Sequence, residues 1–451
     1  MPQEKFHYKS LEEVKQRAAE LGVDLPFAAD THALAQPLTV RNITFPNRLG
    51  IAPMEGADST PEGAPTEYTT RRYVNEAIGG SSVIWFEAIS IVEEGRSSQT
   101  QLLLTSDTLD EFKKMTTAVK EAGLKANGYA PYLIMQANHS GRYSNPGNKP
   151  APMIAYRHPI LEQYRAADDS CIVTDDYLKG LEEKFGEAAA LAKEAGFDAV
   201  DIKSCHGYLL AELASAYNRP GEYGGSFENR FRLLKNGIRA AKVYEDDSFM
   251  VTARIGIYDG YAYPWGFGVS PESGTTPDLT EPIRLVRDLH NELGLNMVNL
   301  TMGNPYATTH VTRPFDFGKY EPDEHPFVGL SRMIHSIGAV KKAVPEMTVW
   351  ASAPTYLRAY ADLFSAGAVE QGLCDGMLFG RMAFADPDFA NEIVKNGRID
   401  PKRVCLTCGK CGDLIRAHKP TGCVIRDSKT FMPFYKEFLE IKKTQPANFR
   451  G

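Results

Sequence analysis

Short β-rich apolar runs recur eight times along the chain: LGIAP (residues 49–53), SVIWFE (82–87), PYLIMQ (131–136), DAVDIK (198–203), FMVTARI (249–255), NMVNLT (296–301), MTVWAS (347–352) and DGMLFG (375–380). Between them lie longer segments such as YLKGLEEKFGEAAALAKEAGF (177–197), whose apolar positions recur at helical spacing before a glycine stop. Strands alternating with such helices predict parallel βαβ units. No G-x-G-x-x-G follows the first run, and eight roughly even units fit a closed barrel better than a doubly wound sheet. The expected fold is therefore α/β: a (β/α)8 TIM barrel over residues 37–400, an N-terminal helical extension at 1–36, and a cysteine-bearing tail at 401–451.

Charge narrows the classes of partner. A formal net charge of -7 leaves no basic face for nucleic acid or anionic membrane. No apolar run reaches the roughly 18 residues that cross a bilayer. The opening MPQEKFHYKSLEEVKQRAAELGV is a charged amphipathic helix pattern without an apolar signal core, so a cytoplasmic location is expected.

In barrels of this type the reacting groups sit where the strands exit into βα loops. Here the exits carry Pro53-Met54-Glu55-Gly56, Ala88, Gln136 with Asn138 and His139, then Lys203, Cys205, His206 and Tyr208, then Arg254, Gly303-Asn304, Ser352-Ala353 and Gly380-Arg381. The fourth exit puts four reactive side chains within six residues, which reads as an active-site rim. The last two exits are small-residue turns before helical patterns, where backbone N–H groups can approach a phosphate and Arg381 can pair with its oxygens. Cys205 reads as a packed small hydrophobe, Cys171 and Cys374 as packing residues, and His139 as either a ligand neighbour or a hydrogen-bonded loop residue.

NRLGIAPM, QANHSGRY, CHGYLLAELAS, YGGSFENRFR, FGRMAFADPDF and the final cysteine run together resemble the Old Yellow Enzyme family of FMN-dependent ene-reductases. Within it they are most similar to the branch of 2,4-dienoyl-CoA reductase and trimethylamine dehydrogenase. The resemblance runs from about Leu38 to Cys423. It implies that Pro53, Met54 and Ala88 face the flavin ring and Gln136 its pyrimidine edge. It further implies Arg254 at N1/O2, and Ser352, Ala353, Gly380 and Arg381 at the FMN phosphate. The glycines usual after strand seven are here Ser352 and Ala353. Family members carry His-x-x-His or His-x-x-Asn and then a tyrosine, where this chain has Lys203, His206 and Tyr208. An ammonium and an imidazole can still stabilise the enolate charge formed when hydride reaches the β-carbon, and Tyr208 would protonate the α-carbon. The branch's histidine after strand six is missing, with Tyr306 and His310 as candidate replacements.

The tail CLTCGKCGDLIRAHKPTGC spaces Cys405, Cys408, Cys411 and Cys423 as three thiols at two-residue gaps and a distant fourth. This suits a cubane cluster better than the two C-x2-C knuckles of structural zinc. The resemblance likewise implies a [4Fe-4S] cluster. Cluster-bearing relatives continue into nucleotide-binding domains, whereas this chain has 28 residues after Cys423. Either NAD(P)H reduces the FMN directly or a separate redox protein feeds the cluster. The expected activity is reduction of an activated C=C bond in a small unsaturated substrate. The rivals are an amine-oxidising dehydrogenase, with a cage from Tyr261, Tyr263 and Trp265, and a non-catalytic electron carrier. The chain's end either docks on a neighbour, as in a homo-oligomer, or packs on its own barrel.

Overall fold

The computed structural model describes residues 3–318 and 320–444. All eight apolar runs form strands of one closed parallel barrel: β1 (Leu49–Ile51), β2 (Val83–Ser90), β3 (Tyr132–Asn138), β4 (Ala199–Ile202), β5 (Met250–Gly256), β6 (Met297–Thr301), β7 (Thr348–Ser352) and β8 (Gly376–Phe379). Closure comes from β8 pairing with β1, Met377 opposite Leu49 and Phe379 opposite Ile51. The chain is thus a (β/α)8 barrel. β2 runs past the expected end to Ser90, because its register against β3 shifts between Trp85 and Ala88. That irregularity carries Ala88 to the strand's cavity end.

A hairpin of two short antiparallel strands, Leu38–Val40 and Ile43–Phe45, was not evident in the sequence. It packs on the barrel's N-terminal end: buried Phe45 meets Trp350 edge-on at 5.9 Å and Tyr132 at 5.3 Å, within an apolar cluster that includes Trp85, Met250 and Met297. With that end filled by side chains, the opposite end is free for ligand, as barrels require.

The N-terminal extension holds the expected helix, Leu11–Glu20, capped by Ser10 accepting from Glu13 N at 3.2 Å. Upstream of it, the chain straps the loops after β6 and β7: Phe6 N donates to Asp316 Oδ1 at 3.0 Å and Gln3 Nε2 to Phe315 O at 2.6 Å, and from the turn after β7 Tyr356 OH donates to Glu4 O at 2.6 Å. The final helix, Ser428–Thr444, packs on its own chain, with Phe434 against Tyr68 at 5.6 Å and Phe431 buried beside Leu414 and Val424. Among the described residues no helix is long and apolar enough to cross a membrane.

Candidate cofactor and substrate site

A cavity of about 940 Å³ opens at the C-terminal ends of the barrel strands, and it is lined by Pro53, Met54, Ala88, Gln136, Lys203 and His206, together with Tyr208, Arg254, Ser352, Ala353, Gly380 and Arg381, whereas Asn138, His139, Cys205, Gly303 and Asn304 from the same exits do not line it. Residues from all parts of the barrel converge there because strand exits share one rim.

Asp201, buried on β4, organises the wall. Its carboxylate accepts from Trp85 Nε1 and Gln136 Nε2, both at 2.7 Å, and from the Arg254 backbone N at 2.5 Å. Gln136 is thereby oriented with its amide oxygen left for a ligand N–H. Arg254 Nε has no partner among the described residues, nor has Thr312 Oγ1, which also lines the cavity. Buried donors left unpaired by protein point to a polar ligand. Burial lowers the Arg254 pKa, so its charge waits for an anion.

Arg313, on the loop after β6, joins Arg381 on the cavity wall. Burial first, and then repulsion from Arg381, brings Arg313 down to about 10. Two neighbouring guanidiniums, one of them donating to Pro314 O at 2.7 Å, make a site for a doubly charged anion. Sequence reasoning missed Arg313 because a lone arginine in VTRPF carries no motif.

Lys203 is buried, and burial depresses its ammonium to about 8. Its Nζ lies 3.8 Å from the Tyr208 ring centroid. Tyr208 is 5% exposed, and burial, with Glu55 next in weight, raises its pKa well above 10. Its hydroxyl donates to Glu55 Oε1 at 3.2 Å and lies 2.9 Å from Tyr306 OH. His206 holds a left-handed backbone, φ 67°, and its Nε2 is 3.3 Å from Thr301 Oγ1. Burial, then Arg254 and Lys203, push its imidazolium well below the usual range, so the ring is neutral at pH 7. A non-glycine residue held in this conformation is strain that the surroundings must enforce.

Of the two candidates on the loop after β6, Tyr306 faces the cavity. His310 instead pairs with Tyr320 OH at 2.7 Å. His139 is a buried loop residue, accepting from Gly141 N at 3.0 Å and meeting Tyr177 OH at 2.9 Å, with burial lowering it to about 4. The three residues suggested for an amine cage do not line the cavity. Trp265 stacks on Tyr156, Tyr261 meets His158, and Tyr263 lies against Tyr217, all in the folded-over loop after β5. Cys205 and Cys374 are buried as expected, whereas Cys171 is only half-buried, its thiol 3.8 Å from Asp168 Oδ1.

Cys405, Cys408, Cys411 and Cys423 line a second, small cavity beside Arg381 and Phe384. None is in a disulfide. Backbone N–H groups of Thr407 and Arg426 point at Cys405 Sγ and Cys423 Sγ, at 3.4 and 3.3 Å. Among the described residues, no three His, Cys, Asp or Glu side chains converge as around a single ion.

A cavity of this size, walled by Lys203, Arg254, Arg313 and Arg381, suits an anionic organic ligand bound at the strand ends of the barrel. Comparison supplies the family. The chain belongs to the NADH:flavin oxidoreductase / NADH oxidase family, whose profile matches residues 33–265. It is 34% identical over 223 residues to the NADPH dehydrogenase of Bacillus velezensis (strain DSM 23117 / BGSC 10A6 / LMG 26770 / FZB42), covering 48% of this chain and 62% of that protein. It is 30% identical over 275 residues to the NADPH dehydrogenase of Geobacillus sp. (strain WCH70), covering 60% and 73%. The barrel also resembles 2-naphthoyl-CoA reductase in complex with 2-naphthoyl-CoA, with TM-score 0.71, 19% identity, and coverage of 90% of this chain and 58% of that one. Histamine dehydrogenase from Rhizobium sp. 4-9 gives 0.65, 19%, 87% and 52%.

Proposed function

We propose that this chain is an FMN-dependent ene-reductase, reducing a C=C bond conjugated to a carbonyl or carboxyl group, with a [4Fe-4S] cluster in the segment 401–451. The observation that carries the reading is the convergence of Lys203, His206 and Tyr208 on one cavity with Arg254 and the Arg313–Arg381 pair. The polar groups of the cavity wall fit FMN: Arg254, with its unpaired Nε, for the pyrimidine oxygen, the Gln136 amide oxygen for its edge, and Arg313, Arg381 and the turns at Ser352-Ala353 and Gly380 for the phosphate. Gly380 suits close approach, since a Cβ there would already lie 3.1 Å from Met54 Sδ. When bound, FMN supplies hydride at N5.

The chain's own residues do the rest. The Lys203 ammonium and the His206 N–H grip the substrate oxygen and stabilise its growing negative charge. Tyr208, held as the phenol by burial, has a proton to give to the α-carbon. Four thiols spread round a cavity, with N–H groups aimed at two sulfurs, suit a cluster in which each thiolate meets its own iron. The pyridine nucleotide in the relatives' names supports NAD(P)H as reductant.

The test is an anaerobic visible spectrum with iron, sulfide and flavin analysis, followed by NADH or NADPH and then a cyclic enone. Bleaching by nucleotide and recovery with enone are expected. Recovery only on adding an amine, or no response without a redox protein, would overturn the reading in favour of a dehydrogenase or a carrier. Zinc in place of iron would overturn the cluster.

A further inference from the structure

The reductive reading leaves one need unmet. Tyr208 is 5% exposed, and once it has given its proton to carbon, burial beside Glu55 makes the phenolate costly. Some group must return a proton from solvent.

Glu55 and Tyr306 meet the Tyr208 oxygen. Glu55 is an acceptor on both carboxylate oxygens, from Tyr208 at 3.2 Å and from Ser97 Oγ at 3.3 Å. With the single Tyr208 hydrogen directed at Glu55, the 2.9 Å contact between the phenols has Tyr306 as its donor. Tyr306 is 40% exposed as a residue and lines the cavity, and burial raises its phenol as well, so the pair joins Tyr208 to a second protonated phenol on the cavity wall. Tyr306 is also held in place: its ring stacks on Tyr143 at 3.7 Å and 15°, and its backbone N donates to Asn304 Oδ1 at 2.9 Å. Asn304 Nδ2 in turn donates to Tyr143 OH at 2.9 Å. Among the described residues Lys203 and Tyr143 also adjoin Tyr208: Lys203 lies over the ring face and Tyr143 meets it edge-on at 5.9 Å, and both are buried, so neither opens a route to water.

We propose that Tyr306 is the proton-relay residue for Tyr208, acting through it, with Glu55 orienting the Tyr208 hydroxyl between turnovers. As the Cα–H bond forms, the Tyr208 O–H bond breaks. The Tyr306 hydroxyl passes its proton to the Tyr208 oxygen, and water at the cavity mouth replaces it. Both electrons arrive with the hydride, ultimately from NAD(P)H, and none travels along the relay. The proposal rests on the ene-reduction reading.

Tyr306→Phe tests it, since the ring can still stack on Tyr143 while the hydroxyl is lost. Prereduced holoenzyme is mixed with 2-cyclohexenone or with 1-nitrocyclohexene, and flavin reoxidation is followed in H₂O and D₂O. Hydride addition to the nitroalkene leaves a stable nitronate that needs no enzymic proton. The enone-to-nitroalkene rate ratio is expected to fall about 10- to 100-fold, with a larger solvent isotope effect on the enone. Tyr306→His, which restores a hydrogen-bond donor, is expected to recover part of the ratio. An unchanged ratio and isotope effect, or equal slowing of both substrates, would overturn the relay. Wild-type holoenzyme that is reoxidised by neither compound would instead refute ene reduction itself.

Discussion

Lys203 lies with its Nζ 3.8 Å from the centre of the Tyr208 ring, a cation against the face of the phenol that adjoins it in the cavity. The contact offsets part of the lysine's lost hydration, but burial still dominates and brings the ammonium to about 8. If the charged form grips the substrate oxygen, activity follows its protonation. We expect kcat/KM for an enone to be flat below about pH 8 and to fall about tenfold per unit above it. Lys203→Met should lower the plateau by about 10²–10³ and remove the alkaline limb, read from pH profiles of both enzymes.

The same lysine works against stability. Its folded pKa lies below the ordinary value of 10.5, so between about 8 and 10.5 the unfolded chain binds more protons and stability rises with pH. At pH 7 the buried ammonium is a net cost. Lys203→Met is expected to raise stability there by about 1–3 kcal/mol and to flatten the rise between pH 8 and 10.5, as measured by chemical denaturation.

Glu76 shows the opposite sign. It is buried next to Arg72, its Oε2 has no partner among the described residues, and burial outweighs the arginine to raise it to about 8. A carboxyl whose folded pKa is raised gives its full stabilisation below its unfolded value near 4.5 and loses it as pH climbs through about 8. Glu76→Gln should therefore match wild type near pH 5 and exceed it by about 1–2 kcal/mol at pH 9, in urea unfolding at the two values.

The eight strands were legible because each is a compact apolar run bounded by turn residues, and the rim residues were legible because strand exits share one end of a barrel. What escaped depends on long-range contact. Asp201 looks like the alternating polar member of DAVDIK, yet it organises Trp85 across 116 positions of sequence. The hairpin strands are three residues each, too short for a period to register. Trp265, Tyr261 and Tyr263 were chosen for their nearness to β5 in sequence, but their loop folds towards Tyr156, His158 and Tyr217.

Ala353 occupies a left-handed position, φ 73° and ψ 28°, at the turn proposed to meet the phosphate. A Cβ there costs about 1–2 kcal/mol, which glycine would relieve in part, because glycine also loses more entropy on folding. Ala353→Gly is expected to be neutral to slightly stabilising with FMN retained. Ala353→Val should lose about 2 kcal/mol or more and much of its FMN, judged by thermal unfolding and flavin content.

Gly56 ties the cavity to the cysteine segment. Its N–H donates to Glu87 Oε2 at 2.9 Å and its carbonyl accepts from Thr421 N at 2.8 Å, two residues before Cys423 and one after Glu55. A Cβ at this position would sit 2.0 Å from Arg72 Nη1. That guanidinium cannot swing aside, being buried between Asp58 at 3.3 Å and Glu87 at 2.5 Å, and moving it would leave two buried carboxylates unpaired. The backbone must yield instead, and it carries Thr421 with it. Gly56→Ala is therefore expected to cost about 1–3 kcal/mol and to reduce both flavin and iron per chain. Cys408→Ser, by contrast, should lower iron while leaving flavin bound, because Cys408 lines only the cysteine cavity. Iron and flavin assays on the two variants separate these outcomes: equal iron loss with full flavin in both would mean that Gly56 does not couple the two sites.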